Sequence, residues 1–437
     1  MAGEKRVVVT GIGPLASTGI GKDVFWEGIL KKRIGLKLEE INIDGEAWDK
    51  FYLHKIDSFD IEKFNIEEEI IEDINIWKKG NEDKNLFYLL ASIKLALDDS
   101  GLSYDKEDND IGLFLTVEHP GFESFCEGIV KETLSYLKKH PVNNNFSKNK
   151  MYKYLYDKFV QSGYDLQTFM YLYFIAKAFR IHGYSLFTNN ACASGLFALE
   201  SAVRQIKYGE SNVVLLASGD VANTMFKHLW FKERGLYAED GKMKPFSKNA
   251  DGIVLGDGAS AIVLEELNHA LNRKAHIYAE YLGGGFSLEG WKVTLPKIGS
   301  LSYQKAIEAS LKKANLKPYD IDLINPHGVA IRVTDRYEAN AITDIFGKNS
   351  EKPLITAFKP YVGHNLGGCS ILESIILLLS LENNLISPTL NCDEVEQKHN
   401  IELVRELIPY PINTAIKLSC GFAGYNAAVI FRKLIKV

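Results

Sequence analysis

The chain repeats itself, and an internal repeat restricts the possible folds more than any single motif does. The stretch Leu95-Ala96-Leu97-Asp98-Asp99-Ser100-Gly101-Leu102, followed by an apolar run over 111–116, matches Ser310-Leu311-Lys312-Lys313-Ala314-Asn315-Leu316, followed by a run over 321–325. Each copy reads as a helix, a turn and a strand. Farther along, Leu199-Glu200-Ser201 begins seven residues after Cys192, and Leu372-Glu373-Ser374 begins eight after His364. The two copies therefore predict Cys192 and His364 at equivalent helix starts, and one site assembled from two halves of the chain.

Strands and helices alternate, with a strand predicted over 7–11, a helix over 22–30 and another over 85–98, which is the α/β pattern. A chain of 437 residues exceeds what one compact core usually holds. The repeat divides it into an N-terminal half over 1–265 and a C-terminal half over 266–437, joined by a polar, charged stretch over 264–275. The first half carries extra residues over about 121–180. This insertion is rich in aromatic residues (among them Tyr152, Tyr154, Tyr156, Tyr164, Phe169, Tyr171, Phe174), a composition of core or interface. Its Lys/Asn-rich part, Lys138 to Lys153, reads as an exposed loop.

Cys192 sits in Thr188-Asn189-Asn190-Ala191-Cys192-Ala193-Ser194-Gly195. Apolar Leu196, Leu199, Val203 and Ile206 follow at helical spacing, with Lys207 in the last turn and Gly209 at the stop. A thiol at a helix start feels the positive end of the dipole, so its pKa is expected to fall. Small neighbours admit a substrate and backbone N–H groups. Taken alone, a lone Cys is more often a small core residue.

Other properties exclude whole classes. A net charge of −5 with no basic tract argues against nucleic-acid binding. The longest apolar stretch, near Ile375 to Leu381, is too short to span a bilayer, and no secretory leader is expected ahead of the first strand. Five scattered cysteines, Cys126, Cys192, Cys369, Cys392 and Cys420, predict free thiols in a reducing cytoplasm. No CxxC or HExxH spacing points to a metal.

Ala191-Cys192-Ala193-Ser194-Gly195, Pro326-His327-Gly328 and Lys359-Pro360-Tyr361-Val362-Gly363-His364 occur in the order seen in β-ketoacyl-acyl-carrier-protein synthases of the thiolase superfamily, which the chain resembles over nearly its whole length. Lys244-Pro245-Phe246-Ser247 with Asp251 to Ala259, and Gly421-Phe422-Ala423-Gly424-Tyr425-Asn426, support the resemblance. It implies a thiolase-like fold of two pseudo-symmetric α/β halves in five layers (αβαβα) and a Cys192-His327-His364 site. Cys192 would take an acyl group from a pantetheine thioester. His327 and His364, as neutral donors, would stabilise the enolate formed when a malonyl group loses CO2. The N–H groups of Cys192 and Phe422 would hold the oxyanion, Phe422 would gate the site, and Lys359 would support His364. Asp335 and Glu338 match the family's acidic pair and read as structural partners. Taken alone, His327 reads as a turn histidine, Lys359 as a solvated lysine and Phe422 as core packing. His119, His182 and His228 show no pattern and receive no role.

The resemblance implies no bound cofactor. Substrates would ride on the phosphopantetheine arm of an acyl carrier protein, and the chain would pair as a homodimer or with a chain-length-setting subunit. The acyl pocket is expected at the aromatic insertion, at Phe169, Met170 and Tyr171, with Phe197 as the alternative floor. Two departures stand out. Val329-Ala330-Ile331 replaces a Thr-bearing run, predicting a narrower, more apolar mouth, and Ala423 and Tyr425 replace Gly and Thr in the gate loop. Several motifs look closer to type II polyketide and polyene ketosynthase subunits than to fatty-acid enzymes. The alternatives are a non-elongating acyltransferase, a thiolase using Cys420 as base, and a non-catalytic chain-length partner, against which Cys192 itself argues.

Overall fold

The structure, a computed structural model, describes residues 5–434 apart from 44–45, 79–82, 105–108, 144, 161–162, 164–165, 223 and 348–352. Tyr164 of the aromatic insertion lies outside the described residues.

The repeat is a repeat of topology. The first half contributes β1 (Val7–Ala16), β2 (Gly112–Thr116), β3 (Ser185–Phe187), β4 (Val213–Asp220) and β5 (Gly258–Glu266). The second contributes β6 (Ala279–Leu288), β7 (Leu323–Asn325), β8 (Leu354–Ile355), β9 (Thr414–Cys420) and β10 (Tyr425–Arg432). They run in the spatial order β8-β7-β9-β10-β6-β1-β5-β4-β2-β3. Outward from the middle, both halves use the same local order, first, fifth, fourth, second, third. Within the sheet, the described strands of the two halves join where Val7 to Val9 pair antiparallel with Tyr281 to Ala279.

Helices α1 (Lys22–Leu30) and α2 (Lys84–Ser100) precede β2. The insertion forms α3 (Phe122–Lys139), α4 (Lys148–Phe159) and α5 (Thr168–Phe179). Then come α6 (Ser194–Lys207), α7 (Met225–Glu233), α8 (Ser302–Ala314), α9 (Arg332–Phe346) and α10 (Cys369–Asn383). The repeated α2 and α8 both stop on a left-handed residue, Gly101 (φ 61°) and Asn315 (φ 54°), the residue types that reach that region most easily. Each lies close on the first strand of its half: a Cβ on Gly13 would fall 2.0 Å from Ser92 O, and one on Gly285 1.8 Å from Ala306 O. Only glycine permits either contact.

Alternation along the strands sorts side chains into layers. Leu113, Leu115, Leu215, Ala217, Ala261 and Val263 face an outer cluster with α2 and α5, whereas Phe114, Val214, Leu216, Ile262 and Leu264 face a central one with α6 and α10. In the second half Ile416, Leu418 and Ile430 face the opposite outer cluster with α8 and α9, and Ala415, Val429 and Phe431 face the centre. Five layers result, with α6 and α10 in the shared middle. A Cβ on Gly195 would fall 2.5 Å from Ser370 Oγ, so the central pair is closely apposed. The run 366–383 is long and apolar enough to cross a membrane by composition, but it is 89% buried inside the protein; its character serves this central layer.

Three local expectations are corrected. The stretch Lys138 to Lys153 is helical at its two ends, Lys138 and Lys139 closing α3 and 148–153 opening α4, where Ser147 caps Lys150 N at 3.4 Å; the expected loop shrinks to the residues between them. The expected linker over 264–275 begins inside β5 and continues as a short helix, Leu267–Asn272. His364 does not itself open α10. It precedes it by five residues, across a 3-10 turn over Leu366–Gly368.

Candidate active site

Cys192 lies in the turn that leads into α6. Ala191 holds a left-handed φ of 51°, a strained conformation for a residue with a Cβ, and the thiol residue behind it is only 6% exposed. The Cys192 carbonyl accepts from Ser419 Oγ at 3.1 Å, which ties the turn to the end of β9. His364 is held as if in a strand: its N–H donates to Val254 O at 2.7 Å and its carbonyl accepts from Gly256 N at 3.2 Å. This is where the Asp251 to Ala259 motif acts. A Cβ on Gly256 would fall 2.0 Å from Val362 O, so the segment approaches only because it carries glycine.

His327 is positioned by the acidic pair. Glu338 accepts from the N–H groups of His327 (2.6 Å) and Gly328 (2.8 Å). Asp335 accepts from those of Val329 and Ala330, both at 3.1 Å, and of Phe246 at 2.6 Å. Two buried carboxylates thus fold one loop. Burial raises both carboxyls, repulsion from Glu338 adds to the rise at Asp335, and the donated hydrogen bonds oppose it.

The thiol and two imidazoles converge, with one donor atom of each within 4.8 Å of the others, and the two rings lie 5.6 Å apart, nearly perpendicular. Lys359 is fully buried. Its ammonium donates to His327 O at 2.6 Å and to Glu373 at 2.7 Å, and sits 3.3 Å from His327 Nδ1. An ammonium can only donate, so His327 Nδ1 is the acceptor and Nε2 carries the proton. Glu373 also accepts from buried Lys417, leaving one net positive charge behind the histidines. Burial first, then Lys359, hold both imidazoles well below their ordinary pKa, so both stay neutral at pH 7. By spacing, Cys192, His327 and His364 would also make a donor set for a metal ion; the ammoniums of Lys359 and Lys417 oppose a cation there.

The sequence-based expectation of a lowered thiol pKa is corrected. Burial pushes the Cys192 thiol well up, Glu118 adds to the rise, and Lys359 opposes it. Cys192 therefore rests as a buried thiol.

The loop carrying Phe422 closes the site. A Cβ on Gly421 would fall 3.1 Å from Cys192 N, so this loop rests against the Cys192 turn. Ala423 adopts φ 60°, at the position where the family pattern has glycine, and its N–H donates to Val293 O at 2.6 Å. The Phe422 ring lies 5.6 Å from that of Trp230 and 6.1 Å from that of Phe231. It borders two cavities. One, of about 40 Å³, is lined by Cys192, His327 and His364 together with Val329 and Ile331. The other, of about 400 Å³, lies beside Phe226, Trp230 and Phe231.

None of the four residues expected to bound the acyl pocket lines either cavity within one chain. Met170 and Tyr171 are buried in the outer cluster beyond the sheet, where Tyr171 Oη donates to Asp83 at 2.7 Å, and Phe169 is 52% exposed. Phe197 packs against Phe286 and Tyr425, ring centroids 4.8 and 5.6 Å away. The aromatic run alternates between core and surface around α5, its buried side packing in the outer cluster with α2. Sequence reasoning also missed Glu373 and Lys417. Both were visible as lone charges inside apolar runs, Ile371-Leu372-Glu373-Ser374-Ile375 and Ala415-Ile416-Lys417-Leu418.

Comparison with known proteins agrees with this geometry. The family model for the beta-ketoacyl synthase N-terminal domain matches residues 4–270, and that for the C-terminal domain matches residues 278–393. The chain belongs to the β-ketoacyl synthase family: it has the thiolase-like fold and is an acyltransferase-type condensing enzyme. It is 27% identical to 3-oxoacyl-[acyl-carrier-protein] synthase 2 of Vibrio harveyi over 449 residues, 99% of each chain. It is equally identical to synthase 1 of Escherichia coli strain K12, over 98% of this chain and 99% of that one. Among solved structures, the ishigamide ketosynthase/chain length factor superposes with a TM-score of 0.82 at 25% identity, over 99% of this chain and 100% of the other. A type II polyketide ketosynthase bound to its acyl-carrier protein, AntDE:AntF, shares the fold at a TM-score of 0.79 and 24% identity, over the same shares.

Proposed function

We propose that Cys192, His327 and His364 carry a decarboxylative Claisen condensation between an acyl thioester and a malonyl group, both delivered on the phosphopantetheine of an acyl carrier protein. The observation that carries this reading is the convergence of one thiol and two neutral imidazoles within 4.8 Å. Cys192 Sγ attacks the acyl carbonyl and the pantetheine thiol leaves, giving an acyl-enzyme. The malonyl group then enters. Breaking its bond to CO2 leaves an electron pair as an enolate, whose oxygen accepts from the imidazole N–H groups, and Lys359 with Lys417 adds a positive potential. The enolate carbon attacks the acyl carbonyl and expels the Cys192 thiolate. Phe422 must move for the pantetheine arm to enter, and the acyl chain runs past it into the larger cavity, so Phe226, Trp230 and Phe231 replace the insertion as its walls.

The partner is an acyl carrier protein, and the enzyme pairs with a second copy or with a chain-length-setting subunit, in a cytoplasm that keeps its five free thiols reduced. A thiolase reading would need Cys420 as base. That residue borders the same cavity, and burial pushes its thiol well up as it does that of Cys192, so acylation is what separates the two. Intact-protein mass spectrometry tests the reading: an acyl donor adds its acyl mass to the wild type and none to Cys192→Ala, which keeps its circular dichroism. Acylation persisting at Cys420 would overturn the assignment.

A further inference from the structure

The backbone bonds of the turn that carries Cys192 pass over the carbonyl of Cys192 itself. Ser194 N–H donates to Ala191 O at 2.9 Å, and the first N–H groups of α6, those of Leu196 and Phe197, both donate to Ala193 O, at 3.1 and 3.2 Å. Asn190 N–H is taken by Ser194 Oγ at 2.7 Å. A buried carbonyl needs a donor, and Cys192 O finds two in the other half of the chain. Ser419 Oγ, near the end of β9, donates to it at 3.1 Å, and Cys369 Sγ, at the first residue of α10, donates to the same oxygen at 3.5 Å. Both residues are buried.

The fold explains how two distant side chains reach one oxygen. Alternation along β9 turns Ser419 to the same side as Lys417, which meets Glu373 on α10. Cys369 precedes Ser370, whose Oγ lies where a Cβ on Gly195 would collide, so the starts of α6 and α10 are in contact. Ser419 also stands three residues before Phe422, and between them a Cβ on Gly421 would fall 3.2 Å from Asn190 O. The strained Ala191, at φ 51°, keeps its conformation only where its surroundings over-determine it. Two hydrogen bonds on the adjoining residue do so.

We propose that Ser419 and Cys369 are positioning residues that set the register of the oxyanion hole: by holding the Cys192 carbonyl they fix the thiol and N–H of Cys192, from the first half, against the N–H of Phe422, from the second. This rests on the reading that Cys192 takes the acyl group with those two N–H groups as oxyanion donors. Such donors work only at about 2.7–3.1 Å from the oxygen, and here they lie on separate halves, one of them in a loop that must move. Ser419 stays with the strand at the foot of that loop. The enolate site has its own supports, Glu338 at His327 and the Val254–Gly256 segment at His364, so loss of the two donors should separate acylation from decarboxylation.

The test compares the full-length wild type with Ser419→Ala, Cys369→Ala and the double variant in two rates: acylation of Cys192 by an octanoyl pantetheine thioester, read by intact mass, and CO2 release from a malonyl pantetheine thioester given alone. Ser419→Ala should slow acylation about threefold to tenfold, the effect of one hydrogen bond, and Cys369→Ala, which removes a weaker donor, about twofold. The double variant should lose at least the product of the two, with CO2 release unchanged throughout. Cys369→Ser and Ser419→Cys each keep a donor and should recover acylation relative to the alanine variants. Circular dichroism and melting confirm folding, and the single variants decide if the double variant does not fold. Acylation unchanged in the folded variants, or acylation and CO2 release falling in parallel, overturns the inference alone. Failure of the wild type to acylate Cys192 overturns the ketosynthase reading and this inference with it.

Discussion

Helices α6 and α10 occupy the same place in the two halves, yet they are built to different electrostatic plans. Both carry Leu-Glu-Ser at the repeated position. On α6, Glu200 faces the rim, where it meets Arg204 at 3.0 Å, partly exposed Lys313 at 3.1 Å and Tyr281. On α10, Glu373 is buried completely and takes Lys359 and Lys417, themselves wholly buried. The first half supplies a thiol in a strained turn; the second supplies two neutral imidazoles with a cationic backing. The two halves thus share a scaffold but differ in buried charge, and under the proposed reading one contributes the nucleophile and the other the enolate site.

The comparison breaks most sharply at the two glutamates. Glu373→Gln leaves two buried ammoniums with one neutral partner and should cost about 3–5 kcal/mol of unfolding free energy, as removal of one member of a buried ion pair does. Glu200→Gln removes a partly solvated pairing and should cost about 1 kcal/mol or less. Chemical denaturation of both variants decides; equal losses would mean that the two helices are not electrostatically distinct.

A smaller effect separates the halves by pH. Lys359 lowers both imidazoles, so the neutral forms persist well below pH 6.5 and condensation should hold through mild acid. Lys359→Met removes that influence, and the imidazole pKa values rise. The acidic limb of the condensation rate should then move to higher pH, while Cys192 acylation at pH 7 persists. A limb that stays in place would mean that burial alone keeps the histidines neutral.

The smallest expected effect concerns chain length and belongs to the first half. Trp230→Ala should lengthen the longest acyl chain loaded on Cys192, with each added methylene contributing about 0.8 kcal/mol of burial. Phe197→Ala and Phe169→Ala should leave the profile unchanged. The mass-spectrometric length series that reads this would place the acyl wall elsewhere if Phe197 or Phe169 moved it.

Much of the framework was legible in the sequence because repeats and glycines leave local marks. The helix–turn–strand copies at Leu95 and Ser310 are equivalent units, and Gly256 and Gly363 sit where two backbones touch. His327, His364, Lys359, Asp335 and Glu338 are where their motifs placed them. What escaped depends on partners distant along the chain. Lys417 meets Glu373 only because β9 alternation turns it toward α10, and the state of the Cys192 thiol follows from burial contributed by both halves, which a local helix-dipole argument omits. Within one chain the insertion stands apart from the site for a related reason: aromatic content reports a buried face without saying which layer it covers, and α5 covers the outer one.

The division of labour between the halves is tested most directly by His327→Ala and His364→Ala in single turnover. Each variant is given an acyl donor, then a malonyl donor, while acyl-Cys192 mass and condensation product are followed separately. Both should load Cys192 and then lose about 2–4 kcal/mol of barrier stabilisation in condensation, a rate loss of about a hundredfold to a thousandfold. Equal loss of acylation and condensation in both variants would contradict the assignment of the nucleophile to one half and the enolate site to the other.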